Sequence, residues 1–265
     1  MRDLKTLMDM TGRRALITGG AGHLGRTMAD SLAELGAEVL LVDVADAPTQ
    51  AVADEISHHR GTTVTALECD LEDADARAAL ADRVAPCGLS VLVNNAAFVG
   101  TSELTGWVEP FAGQSVETWR RALEVNLTAA FHLCQLFAPV LGAGPGGSIV
   151  NIASIYGMWG PDYALYEGTE MANPAAYGAS KGGLIQFTRW LSTTLAPQVR
   201  ANVISPGGVA RGQPSDFVDR YIARTPLNRM AREEDFRGAV AYLASDLSAY
   251  VTGQVLAVDG GWGVW

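Results

Sequence analysis

One stretch constrains this chain more than any other. Arg14 to Thr18 reads as a short buried strand, and Gly19-Gly20-Ala21-Gly22-His23-Leu24-Gly25 follows it directly. Leu24 to Leu35 then places Leu24, Met28, Leu32 and Leu35 at helical spacing, with Gly36 where helices stop. Gly20, Gly22 and Gly25 thus form G-x-G-x-x-G between a strand and a helix. Missing side chains there let the backbone approach a pyrophosphate, whose charge meets free N–H groups at the helix start. A second strand, Ala37 to Val42, leads into Asp43, at the spacing where a carboxylate accepts hydrogen bonds from an adenosine ribose. A carboxylate at that edge repels an added phosphate, so the expected cofactor is NAD rather than NADP. His23 and Arg26 are cations near enough to soften that preference. Asp70, after the third strand, is a candidate for the adenine or for a solvated loop.

The alternation of short β-branched runs with Ala/Leu-rich helical stretches continues to the end. Strands are expected at Thr62 to Leu67, Ser90 to Val93, Ser148 to Ile152, Val199 to Ile204 and Val255 to Val258. Long helices are expected at Val116 to Leu141 and at Ala175 to Ala196, with a turn at Gly142 to Gly147. No linker divides the 265 residues, so the economical reading is α/β: one domain, a doubly wound parallel sheet of about seven strands with helices on both faces. The charge sum of −10 lacks the clustered excess of Lys and Arg that phosphate backbones or anionic membrane surfaces require. Partners are therefore expected among small molecules, with neither nucleic acid nor membrane. The first eleven residues lack the apolar core of a secretory signal, and Cys69, Cys87 and Cys134 are scattered, as in a reduced cytoplasmic protein that packs its thiols. His58, His59 and His132 have no metal-ligand spacing, so no metal is expected.

Tyr177 and Lys181 share one face of the expected helix from Ala175. A phenol with an ordinary pKa near 10 is a poor base at neutral pH, and an adjacent ammonium favours the phenolate. Tyr177 is thus a candidate general acid/base, and Ser154, at the end of a strand, a candidate donor to a substrate oxygen.

Several motifs now stand in register: the glycine loop, Asn94-Asn95-Ala96-Ala97, Val125-Asn126-Leu127-Thr128, Asn151-Ile152-Ala153-Ser154, Tyr177-Gly178-Ala179-Ser180-Lys181, Ser205-Pro206-Gly207 and Val258-Asp259-Gly260-Gly261. From about Gly12 to Trp262 the chain resembles the short-chain dehydrogenase/reductases, in their short single-domain branch. The resemblance implies a Rossmann-like sheet and a catalytic tetrad of Asn126, Ser154, Tyr177 and Lys181. Tyr177 would exchange the proton, Lys181 would depress its pKa and hold the nicotinamide ribose, Ser154 would orient the substrate oxygen, and Asn126 would support a water-linked relay. Gly19, Gly20, Gly22, His23, Leu24, Gly25, Asp43, Asp70, Leu71, Asn95, Ala96, Ala97, Pro206, Gly207 and Val209 would join Tyr177 and Lys181 around the cofactor. The resemblance also implies a homo-oligomer, a dimer or tetramer built on the long helices.

Three departures from the family pattern bear on function. His23 stands where the short branch carries glycine, and the spacing of Gly19, Gly22 and Gly25 matches the longer sugar-nucleotide branch. Arg211 replaces the family's Thr beyond Pro206-Gly207. The connection from Ser154 to Tyr177 is longer than usual by roughly ten residues, and long connections at a site tend to be functional. It carries Trp159, Tyr163, Tyr166, Glu167 and Glu170, and the stretch Phe98 to Ser115 brings Trp107 toward the same mouth. Members serving surface-sugar or flagellin-glycan pathways look similar through this loop, including Tyr166 to Thr169. Ser154, Tyr156, Tyr166, Glu167 and Trp107 are the expected substrate contacts, rings against C–H faces and carboxylates accepting from hydroxyls. The expected activity is NAD-dependent interconversion of a secondary alcohol and its ketone, with a sugar-like polyhydroxylated compound as the candidate substrate. A carbonyl or 3-oxoacyl reductase, or an epimerase or dehydratase using bound NAD, are the alternatives.

Overall fold

A computed structural model describes residues 1–98, 104–144 and 146–265. Its centre is a seven-stranded sheet in the order β3-β2-β1-β4-β5-β6-β7, with every adjacent pair parallel. The strands are β1 (Arg14–Thr18), β2 (Glu38–Asp43), β3 (Val64–Glu68), β4 (Val91–Asn94), β5 (Gly147–Ile152), β6 (Val199–Pro206) and β7 (Val255–Val258). Around them run α1 (Leu4–Met8), α2 (His23–Glu34), α3 (Thr49–Arg60), α4 (Ala74–Val84), α5 (Val116–Leu123), α6 (Ala129–Gly142), α7 (Ala175–Thr194), α8 (Ser215–Arg224) and α9 (Arg237–Ala244).

Period-two side chains assign the two faces. Ile17, Val39 and Leu41 meet Met28 and Leu32 of α2, Val52 and Ile56 of α3 and Val240 of α9. Leu16, Leu40 and Val42 point the other way, against Leu80 of α4, Leu133 and Phe137 of α6 and Leu191 of α7. Helices on both faces suit strands that are apolar throughout. Cys69 and Cys134 belong to the second core, and burial pushes their thiols up to about 11 and about 12, far from reactive thiolates.

The expected Val116 to Leu141 helix is interrupted. Glu124–Thr128 forms a wide π turn between α5 and α6, a feature common at functional sites, and Asn126 sits inside it. The whole run Val116–Gly142 is long and apolar enough to cross a membrane by mean hydropathy, 1.3 over its best window. It carries Glu117, Arg120, Arg121 and Glu124 in its first half, and α6 buries Leu133, Phe137 and Leu141 against the sheet, as a core helix does.

Strand order reverses between β1 and β4, which opens a crevice at their carboxyl ends. The motif residues converge there.

Candidate active site

Asn95 stitches the crevice. Its Nδ2 donates to the carbonyls of Thr18 and Gly19 at 2.9 and 3.0 Å, while Thr18 Oγ1 accepts from the backbone N–H of Asn95 and of Ala96, both at 3.1 Å. This close approach explains two of the glycines. Gly19 has φ +62° and a Cβ there would lie 2.8 Å from Ala96 Cα; a Cβ on Gly25 would lie 2.1 Å from the Gly19 carbonyl oxygen. Gly22, the N-cap of α2, offers no side-chain cap, so the first N–H groups of that helix are left for an anion. Asp43 closes the same loop, its Oδ2 accepting from Ala21 N–H at 3.0 Å. Glycine cradle, uncapped helix start and terminal carboxylate together fit a dinucleotide.

The other expected cofactor residues are distributed around this cradle. His23 is exposed and opens α2, whereas Leu24 packs on the first core. Arg26 is tied to Glu55. Asp70 Oδ1 accepts from Glu72 N–H at 2.9 Å, and Leu71 is buried in the second core. Ala97 follows Ala96 beyond β4 and is half-buried. Gly207 donates to Val258 at 3.0 Å, and Val209 bridges Ala231.

At the other end of the crevice lies a cavity of about 430 Å³, whose lining includes Ser154, Tyr156, Tyr166, Tyr177, Pro206 and Gly207. Lys181 lies beside it, 2% exposed, its Nζ donating to the Ile152 carbonyl at 2.8 Å and standing 5.9 Å from the Tyr177 ring centre. The 20-residue helix α7 presents both from one face. Gly157 lets the preceding loop press on it, since a Cβ there would lie 2.7 Å from the Lys181 carbonyl carbon. Asn126 is buried; its Oδ1 accepts from Phe98 N–H at 2.6 Å and its Nδ2 donates to Ser180 Oγ at 3.0 Å. It therefore ties the end of β4's loop to α7.

Burial pushes the Tyr177 phenol above its ordinary value; hydrogen bonding with Ser154 and the charge of Arg211 pull the other way. Burial lowers Lys181 to about 8. Desolvation is the largest influence on both groups.

The long connection splits in two. Tyr166 lines the cavity and its hydroxyl lies 2.6 Å from that of Tyr156. Trp159 instead packs on Trp262, against Gly263. Glu167 is exposed and outside the cavity wall, and its carbonyl accepts from Arg220 at 2.5 Å; the carboxylate at the wall is that of Glu170. Trp107 is buried, edge-on to Phe98 at 5.3 Å, and borders the cavity. Gln213, Phe217, Tyr221 and Met230 line the wall as well. Sequence reasoning missed them because they lie far beyond the last catalytic motif; the spacing of Phe217 and Tyr221, one helical turn apart, was the available signal. Tyr221 also anchors the loop after β6, accepting from Gly208 N–H at 2.5 Å.

A family model described as Enoyl-(Acyl carrier protein) reductase matches residues 19–263. Cis-4-hydroxycyclohexanecarboxylate dehydrogenase of Sinomonas cyclohexanicum is 38% identical, the match covering 94% of this chain and 96% of that one. The chain belongs to the short-chain dehydrogenase/reductases. Galactitol 2-dehydrogenase (L-tagatose-forming) of Cereibacter sphaeroides is 32% identical over 99% of this chain and 100% of its own. A solved structure from Beutenbergia cavernae with bound NADP at low occupancy is 35% identical, with a TM-score of 0.86 and coverage of 98% and 100%. The relatives named are oxidoreductases of CH–OH groups, one of a hydroxycyclohexanecarboxylate and one of a sugar alcohol, which supports a secondary alcohol/ketone oxidoreductase.

Proposed function

We propose that this protein is an NAD-dependent dehydrogenase that interconverts a cyclic, hydroxyl-bearing secondary alcohol and its ketone. The observation that carries this is the Ser154, Tyr177 and Lys181 group at a cavity on the same carboxyl edge of the parallel sheet as the glycine loop. Ser154 and Tyr177 would hold the substrate oxygen, and Tyr177 would give it a proton in reduction and accept one in oxidation. Lys181 would fix the cofactor ribose and keep positive charge behind the phenol. When bound, the nicotinamide supplies the hydride donor or acceptor. The rings of Trp107, Tyr156, Tyr166 and Phe217 would exclude water and cover the C–H faces of a ring, with Asn173, Gln213 and Glu170 meeting its hydroxyls.

Asp43 supports NAD, since its carboxylate already stands at the end of the glycine loop; the NADP-bound relative makes this a point for measurement. A 3-oxoacyl substrate on an acidic carrier protein is less well supported. Its acyl chain would call for an apolar lining, whereas this wall also carries Glu170, Asn173 and Gln213. We also propose that residues 1–265 act as a single unit, cytoplasmic, in a dimer or tetramer. Phe131 and Trp190 support the association: both are exposed, on the outer faces of α6 and α7, and both pack on Phe187.

The test is a panel of cyclic alcohols and polyols followed by reduced-cofactor absorbance with NAD⁺ and with NADP⁺. Turnover of a ring alcohol with NAD⁺ preferred is the expected result. Substrate conversion without net reduced cofactor would replace the dehydrogenase reading with an epimerase or dehydratase.

A further inference from the structure

Several ion pairs, such as Arg26–Glu55 and Arg60–Asp30, tie helices together on the surface. One spans the cofactor crevice instead. Glu233, the first residue of a 3-10 turn at Glu233–Phe236, puts Oε1 3.3 Å from Arg211 Nε and 3.8 Å from His23 Nδ1. His23 opens α2, at the uncapped helix start. One carboxylate oxygen therefore faces both rims of the groove, the glycine-loop side and the segment after β6.

The backbone that carries Arg211 is fixed. Its N–H donates to Gln213 Oε1 at 2.7 Å, Gln213 Nε2 donates back to the Val209 carbonyl at 2.7 Å, and Ala210 N–H donates to Ala231 at 2.9 Å. The side chain is not fixed in the same way: it is 40% exposed, with Glu233 as its one acidic partner among the described residues. Arg211 also lies near enough to Tyr177 for its charge to act on the phenol. An anion seated on the first turn of α2 would thus meet the guanidinium in competition with Glu233. A diphosphate has the advantage in that competition, because its paired oxygens match the planar fork of arginine and carry more charge than one carboxylate.

We propose that Arg211 is the anchor for the cofactor diphosphate, held by Glu233 until it exchanges that carboxylate for the phosphate oxygens. This rests on the reading that the glycine loop takes a dinucleotide. Glu233 then has two effects on binding, both unfavourable: it occupies the anchor and it adds negative charge at the rim.

The experiment measures dissociation constants for NADH and for ADP-ribose, by calorimetry or NADH fluorescence, at several salt concentrations. The proteins are the wild type, Arg211→Ala and Glu233→Gln, with thermal unfolding to confirm that each is folded. Arg211→Ala should weaken both ligands by about five- to thirty-fold and flatten the salt dependence, while Glu233→Gln should tighten both. Equal weakening by the two substitutions would make the pair a structural strap and overturn the proposal. Unchanged ADP-ribose affinity in Arg211→Ala would overturn it as well. If the wild type binds neither NADH nor ADP-ribose, the dinucleotide reading itself fails, and with it the anchor.

Discussion

Lys181→Met offers a test of the site's electrostatics that needs no substrate. Lys181 is 2% exposed, and its ammonium donates to the Ile152 carbonyl at 2.8 Å. Burial lowers its pKa from 10.5 to about 8. Between these values the unfolded chain holds more protons than the folded one, so stability rises with pH. Below about pH 8 both states carry the charge and the cost of burying it is present in full; above about pH 10.5 it is relieved. At about 1.4 kcal/mol per pH unit, the relief from pH 7 to pH 10 comes to roughly 2–3 kcal/mol. Methionine keeps an unbranched chain of similar length and removes the titration. The assay is chemical unfolding of both proteins at pH 7, 8, 9 and 10, with the difference taken at each pH so that the tyrosines and other groups largely cancel. The wild type should gain on the variant by that amount across the range. A difference that stays flat would refute the claim that this ammonium is desolvated.

Other substitutions probe the cradle and the surface around it. Gly25→Ala forces a Cβ to 2.1 Å from the Gly19 carbonyl oxygen, so NADH binding should weaken by at least about tenfold while the circular dichroism of the sheet is retained. Asp43→Asn keeps an acceptor for Ala21 N–H but removes the charge; the ratio of NADPH to NADH affinity should rise by about tenfold or more in direct titrations. Asp30, hydrogen-bonded to Arg60 and Arg237, has its carboxyl lowered to about 2. Its contribution is present above about pH 4 and lost as pH falls through 2. Asp30→Asn should therefore cost about 1–2 kcal/mol at pH 6 and little near pH 2 in chemical unfolding.

Much of the fold was legible because this sheet is buried on both faces, so each strand is a compact apolar run bounded by a turn. All seven expected strands correspond to observed ones, within a residue or two at their ends. The π turn at Glu124–Thr128 was not legible, since its side chains keep helical spacing and only the backbone widens. In the site, short-range motifs were readable: Tyr177 and Lys181 are neighbours by helix geometry, and the glycines are required by backbone contacts that sequence spacing encodes. The cavity wall was not. Phe217, Tyr221 and Met230 reach it through tertiary packing of α8 and the segment beyond it, and Glu167 turns outward where Glu170 faces the wall. The effect of burial on Tyr177 and Lys181 also had no sequence signal, because desolvation depends on what the rest of the chain packs around them.

The central claim is that Tyr177 carries the proton to and from the substrate oxygen, and the most direct measurement is single-turnover hydride transfer by Tyr177→Phe with a substrate the wild type accepts. Phenylalanine keeps the ring and its packing and removes only the hydroxyl. The rate should fall by about 10² to 10⁴ with NADH affinity nearly unchanged. A variant that transfers hydride as fast as the wild type would contradict the account.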